Sequence, residues 1–578
     1  MNDKPAKKTS ALAGVRKLLP YLKPEIGPLA LTALTIFIAS GINLSVPYIF
    51  GHAIDAYVRT ANYPGIFTTV AALLVAFLIA LGTSYWQMQL MGRVGQRMLF
   101  RLRNMIFAKL QSLPIAFFNR NKAGDLISRI NNDTDKLNQF FSETLVRFTM
   151  SIVMIAGSGI FLLSLNWHLG LAALVPAGAL YLFTQATSGW VKKRNAESLR
   201  ATGGLSAEIQ ESLEHFKVVV AFDRRDFFRD RFAIANKINF KAATRAGIAS
   251  ALYSPIYDLF SNLAILIVLG YGILLVSQQS LTLGLLLSFL IYVERFYGPL
   301  RQIAMLWNSF QLALAAWDRV SEIMDETMVL PTIEGEKAAN PALVQFQGVH
   351  FGYPERPDVL RNINIDLERG KTYALVGPTG GGKTTTASLM ARLYDPTSGT
   401  ILLDGRDLRS YSESDRTKKI GFILQEPFLF TDTVLENIFY ANPDFAATSH
   451  QEKIDTINSM GLERLLARFE KGVDTPVSGA DSISLGQKQL IAFMRAVLRK
   501  PELLILDEAT ANIDTVTEQL LQEALDQLPG STTKVIIAHR LNTIEKADGI
   551  FFVNNGELTA AGTLDKAVDM LMHGKRQS

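Results

Sequence analysis

Tyr373-Ala374-Leu375-Val376-Gly377-Pro378-Thr379-Gly380-Gly381-Gly382-Lys383-Thr384 decides how the second half of this chain folds. Four apolar residues read as a buried strand. A glycine-rich turn follows, and then a helical pattern begins with Lys383. This is the G-x-x-x-x-G-K-[ST] spacing in the strand–loop–helix context it requires. Glycines let backbone N–H groups turn inward around phosphate oxygens, and the helix start adds partial positive charge. The spacing predicts that Gly377 and Thr379 to Gly382 cradle phosphates, with Thr385 beside them. Lys383 reaches the β- and γ-phosphates and the Thr384 hydroxyl binds Mg²⁺.

A second run, Leu503-Leu504-Ile505-Leu506-Asp507-Glu508, reads as another buried strand ending in two carboxylates. Asp507 is placed to hold the metal, and Glu508 to orient or deprotonate an attacking water. A third strand, Val535-Ile536-Ile537-Ala538, ends at His539, for which the residues alone give no role.

Upstream, the character changes. Apolar residues are 48% of the 578, yet the excess lies almost entirely before residue 320. Mean hydropathy is +0.18, above what a soluble chain of this length usually shows. About 20 apolar residues cross a bilayer core as a helix. Six stretches qualify: Leu29–Phe50, Ile66–Trp86, Phe148–Leu165, Leu169–Trp190, Ile256–Val276 and Leu281–Met305. Charge alternates between their connections. Lys4, Lys7, Lys8, Arg16, Lys17 and Lys23 precede the first, and Arg93 to Lys136 and Lys192 to Arg245 are strongly basic. The links at Asn166–His168 and Gln278–Ser280 hold no Lys or Arg. Positive charge stays on the cytosolic side, so both chain ends are expected there, in a multi-pass protein of the cytoplasmic membrane. The net charge of +5 then reads as topology and not as nucleic-acid binding. With no cysteine, disulfides, thiolate zinc sites and cysteine nucleophiles are excluded. The first apolar run is too long for a signal peptide and lacks a cleavage site.

The two basic connections read as helical extensions into the cytosol. Each carries an apolar knuckle, Leu113–Phe118 and Lys217–Phe222, that fits either helix packing or contact with the second half. Asp258, Glu294 and Arg295 stand at membrane depth, where charge needs a reason. Structural pairing, snorkelling and the lining of a polar cavity all fit. Trp317 to Pro341 loses apolar periodicity and reads as the end of the helical part. The expected domains are a membrane domain at 1–325, a linker at 326–342 and a nucleotide-binding domain at 343–578.

Further motifs carry a family resemblance over the whole chain. Gln425 in Leu424-Gln425-Glu426-Pro427, Ile483-Ser484-Leu485-Gly486-Gln487, Ala511-Asn512-Ile513-Asp514 and His539 resemble the Q-loop, signature, D-loop and switch of the ATP-binding cassette exporters. Tyr353 matches their adenine-stacking aromatic, and Gly124–Arg129 and Val219–Phe222 resemble their two cytosolic loops. The resemblance implies a six-helix all-α membrane domain fused to an α/β cassette, and export of an amphiphilic drug, lipid or small peptide by alternating access. It implies ATP and Mg²⁺, with Glu508, His539 and Gln425 in catalysis and Thr384, Gln425 and Asp507 at the metal. Two cassettes pair head to tail, so Ser484, Gly486, Gln487 and Asp514 face ATP held by a second half-transporter. The loop tips dock on the cassettes. A membrane ATPase with a regulatory or channel-like role is the alternative.

Two departures stand out. Leu485 occupies a position usually held by glycine, and Thr475–Ala480 is shorter than usual and lacks a glutamate. A homodimer tolerating a variant signature fits. A heterodimer in which this chain keeps Glu508 and His539 while its signature drifts fits better.

Overall fold

The computed structural model describes residues 20, 23–327, 330–335, 342–354, 356–478, 483–507, 514–537 and 544–573. Contacts divide the chain into two units, Met1–Gln111 with Ala123–Glu326, and Ser112–Lys122 with Thr327–Ser578. The short segment Ser112–Lys122 therefore belongs with the second unit, while its sequence neighbours belong to the first.

The first unit is all-helical. Its long helices are α1 (Ile26–Ala53), α2 (Tyr63–Gln111), α3 (Leu145–Leu165), α4 (Trp167–Glu214), α5 (Arg225–Ala251), α6 (Tyr253–Ser277) and α7 (Leu283–Met324). Among the described residues, six helical runs are long and apolar enough to cross a membrane. Helix α2 has 49 residues, about 74 Å at 1.5 Å per residue. That is more than twice the roughly 30 Å hydrocarbon core, so the excess is an extension beyond the bilayer. Helices α4 and α7, of 48 and 42 residues, extend likewise.

Polar groups stitch the spans together. Within α7, the Ser288 hydroxyl donates to the Pro47 carbonyl at 2.7 Å and the Tyr292 hydroxyl to the Leu44 carbonyl at 2.5 Å. At the start of the helix, Gly284 N–H donates to Asp55 at 2.9 Å. These donors recur every four residues, so one face of α7 lies along α1. A Cβ on Gly284 would come 2.0 Å from the Gly51 carbonyl, so glycine permits the close crossing. Tyr297 donates to the Ala173 carbonyl of α4 at 2.9 Å.

Apolar periodicity fades from Trp317 in the sequence, yet helix α7 does not stop there. It continues to Met324, and Ala313, Ala316, Trp317, Val320 and Ile323 form a buried stripe. Asp318, Arg319 and Glu322 break up that stripe in the sequence, and the charges of Arg319 and Glu322 are met by residues far earlier in the chain. Arg319 binds Asp125 and Asp133, and Arg129 binds Glu322 at 2.8 Å and the Arg319 carbonyl at 2.9 Å. The Gly124–Arg129 motif thus clamps the extension of α7. The membrane-depth charges separate as well. Asp258 pairs with Arg301 at 2.7 Å, Arg295 reaches Asn43 at 3.3 Å, and Glu294 is exposed.

The second unit is α/β. Strands β1 (Ala342–Tyr353), β2 (Arg356–Glu368), β4 (Ser398–Leu403) and β5 (Arg406–Asp407) form an antiparallel sheet ordered β2-β1-β4-β5. A six-stranded sheet uses β3 (Thr372–Val376), β6 (Ile420–Ile423), β9 (Leu503–Asp507), β10 (Thr533–Ile537), β11 (Gly549–Asn554) and β12 (Glu557–Ala560). Its order is β12-β11-β3-β10-β9-β6, parallel except for the β11–β12 hairpin. A short pair, β7 (Asp432–Thr433) and β8 (Pro476–Val477), ties down a helical region. Strand β9 is buried along its whole length, as the unbroken apolar runs of parallel strands require. Because β10 lies between β3 and β9, the loops leaving those two strands open on the same edge, where parallel α/β sheets bind ligands.

Candidate functional site: a phosphate cradle at the ends of strands β3 and β9

Strand β3 feeds the glycine turn, and helix α8 (Lys383–Met390) begins directly after it. Gly377, Gly380 and Gly382 have φ of +144°, +81° and +115°, where side chains are disfavoured. At Gly377 glycine is required twice over, because a Cβ would sit 2.0 Å from the Val553 carbonyl of β11. The turn is held from behind as well: Gly381 N–H donates to the Pro378 carbonyl at 3.1 Å, and the Gly381 carbonyl accepts from Gly556 N–H at 3.2 Å.

Lys383 is buried, and its ammonium donates to the Gly377 carbonyl at 2.7 Å and the Pro378 carbonyl at 3.2 Å. The cation is folded over the cradle. Thr384 donates to Asp507 Oδ1 at 3.2 Å, so the residues ending β9 and starting α8 touch. Tyr353 and Thr385 join hydroxyl to hydroxyl at 3.2 Å. A cleft of about 1080 Å³ opens above, lined among others by Tyr353, Thr379, Gly380, Gly382, Lys383, Thr384, Thr385 and Gln425. The expected nucleotide residues from three segments, at Tyr353, Thr379–Thr385 and Gln425, meet there. A glycine-rich turn at a helix start, a buried cation and a hydroxyl–carboxylate pair suit a triphosphate and its metal.

Ser484, Gly486, Gln487 and Asp514 do not line this cleft. Ser484 caps helix α9 (Leu485–Val497) in a reciprocal box: its hydroxyl accepts from Gln487 N–H at 3.2 Å, while its own N–H donates to Gln487 Oε1 at 2.8 Å. Asp514 caps α10 (Thr515–Asp526). The hydroxyl and then the N–H of Thr517 hold the Asp514 carboxyl below the usual aspartate range. Glu508 and His539 lie outside the described residues, as do Ala511 to Ile513.

Sequence reasoning passed over Gln489. It is buried on the apolar face of α9, and its Nε2 donates to the Gln425 carbonyl at 2.9 Å. A glutamine spaced among Gly486, Leu490 and Phe493 on a helix interior was the available signal. Arg356, Arg361 and Asn555 also border the cleft, and only the fold brings them there.

In the first apolar knuckle, the helix Ile115–Arg120 presents Asn119 Nδ2 to Tyr394 Oη at 2.5 Å within the second unit. In the second, Phe216–Ala221, Val219 is buried while Phe216, Val218 and Phe222 are exposed.

Known proteins are similar to both units. Residues 29–300 match the family described as ABC transporter transmembrane region, and residues 360–511 the family described as ABC transporter. The chain is 33% identical over 575 residues to the ABC transporter ATP-binding protein YfiC of Bacillus subtilis, covering 98% of this chain and 94% of that one. It is 34% identical over 502 residues to a protein of Mycobacterium tuberculosis named fatty acid ABC transporter ATP-binding/permease protein, covering 87% and 79%. It is 29% identical over 557 residues to YknV of Bacillus subtilis, covering 95% and 91%. With six helical runs among its described residues long and apolar enough to cross a membrane, and with both family matches, this chain belongs to the ABC transporters, as an exporter-type half that couples ATP hydrolysis to transport.

Proposed function

We propose that this chain exports an amphiphile from the cytosol by alternating access, as one half of a dimer in the cytoplasmic membrane with both termini cytosolic. The observation that carries the reading is the hydroxyl–carboxylate pair Thr384–Asp507 beside the buried Lys383. It supports ATP standing with its phosphates over Gly377 and Thr379–Thr385 and its adenine on Tyr353. Thr384, Asp507 and Gln425 would hold Mg²⁺, which would neutralise charge on the phosphates. Glu508 prepares the attacking water and His539 contacts the γ-phosphate.

Ser484, Gly486, Gln487 and Asp514 serve the ATP held by the second subunit. That none of them lines this chain's own cleft supports that division. The exposed Phe216, Val218 and Phe222 supply an apolar tip for docking on the partner's cassette. The retained cradle together with Leu485 in the signature favours a heterodimer.

An amphiphilic substrate is supported by a relative named for fatty acids. The test is ATPase activity of the purified complex across a panel of long-chain fatty acids, phospholipids and cationic dyes. Stimulation by at least one amphiphile and by no hydrophilic solute is expected. A rate indifferent to every amphiphile overturns the reading.

A further inference from the structure

Three segments far apart in sequence meet at Arg468. Gln487 uses its Oε1 on the Ser484 N–H, and its Nε2 donates to the Arg468 carbonyl at 2.6 Å. The Arg468 guanidinium turns the other way. Its Nη2 stands 3.1 Å from each Asp514 oxygen and 3.3 Å from the Thr517 hydroxyl. Gly486 closes the cluster: a Cβ there would lie 3.3 Å from Thr517 Cγ2 and 3.6 Å from Asp514 Oδ2. The start of α9 and the start of α10 are thus in contact, and one residue bonds both.

We infer that Arg468 is a positioning residue that locks the signature turn Ser484–Gln487 to Asp514, so that both are presented to the neighbouring subunit's nucleotide as one piece. The inference rests on the proposal that this turn acts on the partner's ATP.

The side chains of Gln487 and Asp514 are both committed within their own chain. Gln487 has both ends of its amide bonded, and Asp514 accepts from Thr517 and Arg468. They hold backbone in place, and what the turn offers a phosphate is N–H groups at the start of α9. The Arg468 and Asp514 side chains are 38% and 49% exposed. An ion pair that open contributes little to folding, yet small displacements of a positioned group lower turnover steeply. Loss of Arg468 therefore reads out in rate and not in stability.

The experiment uses the assembled transporter, with Arg468→Ala, Arg468→Gln, Arg468→Lys and Asp514→Asn in this chain. ATPase kcat and KM, photolabelling of the cradle by an azido-ATP and the thermal midpoint are measured for each. Arg468→Ala is expected to lower kcat about 5- to 10-fold, leaving KM, labelling and midpoint unchanged. Arg468→Lys should recover at least half the rate, because its ammonium still reaches one carboxylate oxygen. Arg468→Ala combined with Asp514→Asn should be no slower than the slower single variant. A kcat for Arg468→Ala within twofold of the unmodified complex overturns the proposal. So does a fall in midpoint, or in folded yield, that Arg468→Gln repeats and that tracks the rate. Ser484→Ala separates the two levels of the account. If it leaves turnover unchanged, the trans-acting signature fails. If it slows turnover while Arg468→Ala does not, only the role of Arg468 fails.

Discussion

The Thr384 hydroxyl at the start of α8 donates to Asp507 Oδ1 at the end of β9, across 3.2 Å and a separation of 123 residues. Strand order explains the meeting. Strand β10 registers against both neighbours, with Ile537 opposite Leu375 on one side and Asp507 on the other. The phosphate turn and the acidic strand end therefore emerge level. A cation placed beside this pair would meet a hydroxyl, a carboxylate and the phosphates together.

Lys383→Ala removes a buried cation that the Gly377 and Pro378 carbonyls hold over the cradle. Charge-assisted contacts contribute about 1.5–3 kcal/mol, so ATP affinity at this site should fall about 10- to 100-fold. Photolabelling titrations read this directly, with membrane insertion unchanged. Unaltered labelling would remove Lys383 from the phosphate site.

Gly377→Ala tests the cradle as backbone. The new Cβ would meet the Val553 carbonyl at 2.0 Å, with φ at +144°. Strain of about 1–3 kcal/mol should lower the thermal midpoint of the cassette and abolish nucleotide labelling together. Gly380→Ala is the control, since nothing lies within 4 Å of its added Cβ and only its φ of +81° opposes it. It should cost the fold less than Gly377→Ala does. Equal losses would mean that the approach of β11 is unimportant.

In the membrane unit the carboxylates part company. Sequence alone made Asp258 and Glu294 equal candidates for a cavity that favours cations. The structure pairs Asp258 with Arg301, the two side chains being 55% and 43% exposed, and leaves Glu294 exposed. Asp258→Asn should therefore leave the ratio of cationic to neutral amphiphile uptake within about twofold, while Glu294→Gln lowers it further. Vesicle uptake of a matched dye pair measures the ratio. A collapse with Asp258→Asn alone would show that its charge is not neutralised.

Glu508 and Leu485 test the subunit arrangement. Glu508→Gln should slow hydrolysis by at least about 100-fold, the contribution of a general base, and trap the ATP-bound dimer. In the proposed heterodimer this signature serves the slower-cleaving site, so Leu485→Gly should raise turnover only slightly, whereas a displaced signature still slows the complex because both sites must close for either to turn over. The heterodimer is contradicted if the chain purified alone forms a stable dimer with full, substrate-stimulated ATPase.

Much of this was legible in the residues because the chemistry is local. The glycine turn, the apolar strands around Val376 and Leu506, and the six spans each announce themselves within about 20 residues. What was hidden depends on distant partners. The α7 extension was obscured because Asp318, Arg319 and Glu322 interrupt its stripe, and Asp125 and Arg129, which bind two of them, lie about 190 residues earlier. The affiliation of Ser112–Lys122 with the cassette rests on contacts such as Asn119–Tyr394, separated by 275 positions. Gln489 and Arg468 act on backbone carbonyls or caps that only the folded loops bring within reach.

The central claim is that ATP hydrolysis at Lys383, Thr384 and Asp507 drives an amphiphile out of the cytosol. Uptake of a radiolabelled long-chain fatty acid or a fluorescent amphiphile into inside-out membrane vesicles tests it most directly, with ATP, with a non-hydrolysable analogue, and with Lys383→Ala in this chain. The account predicts accumulation with ATP alone, abolished by the analogue and by the substitution. Accumulation that persists with Lys383→Ala, or ATP-driven movement in the opposite direction, would contradict it.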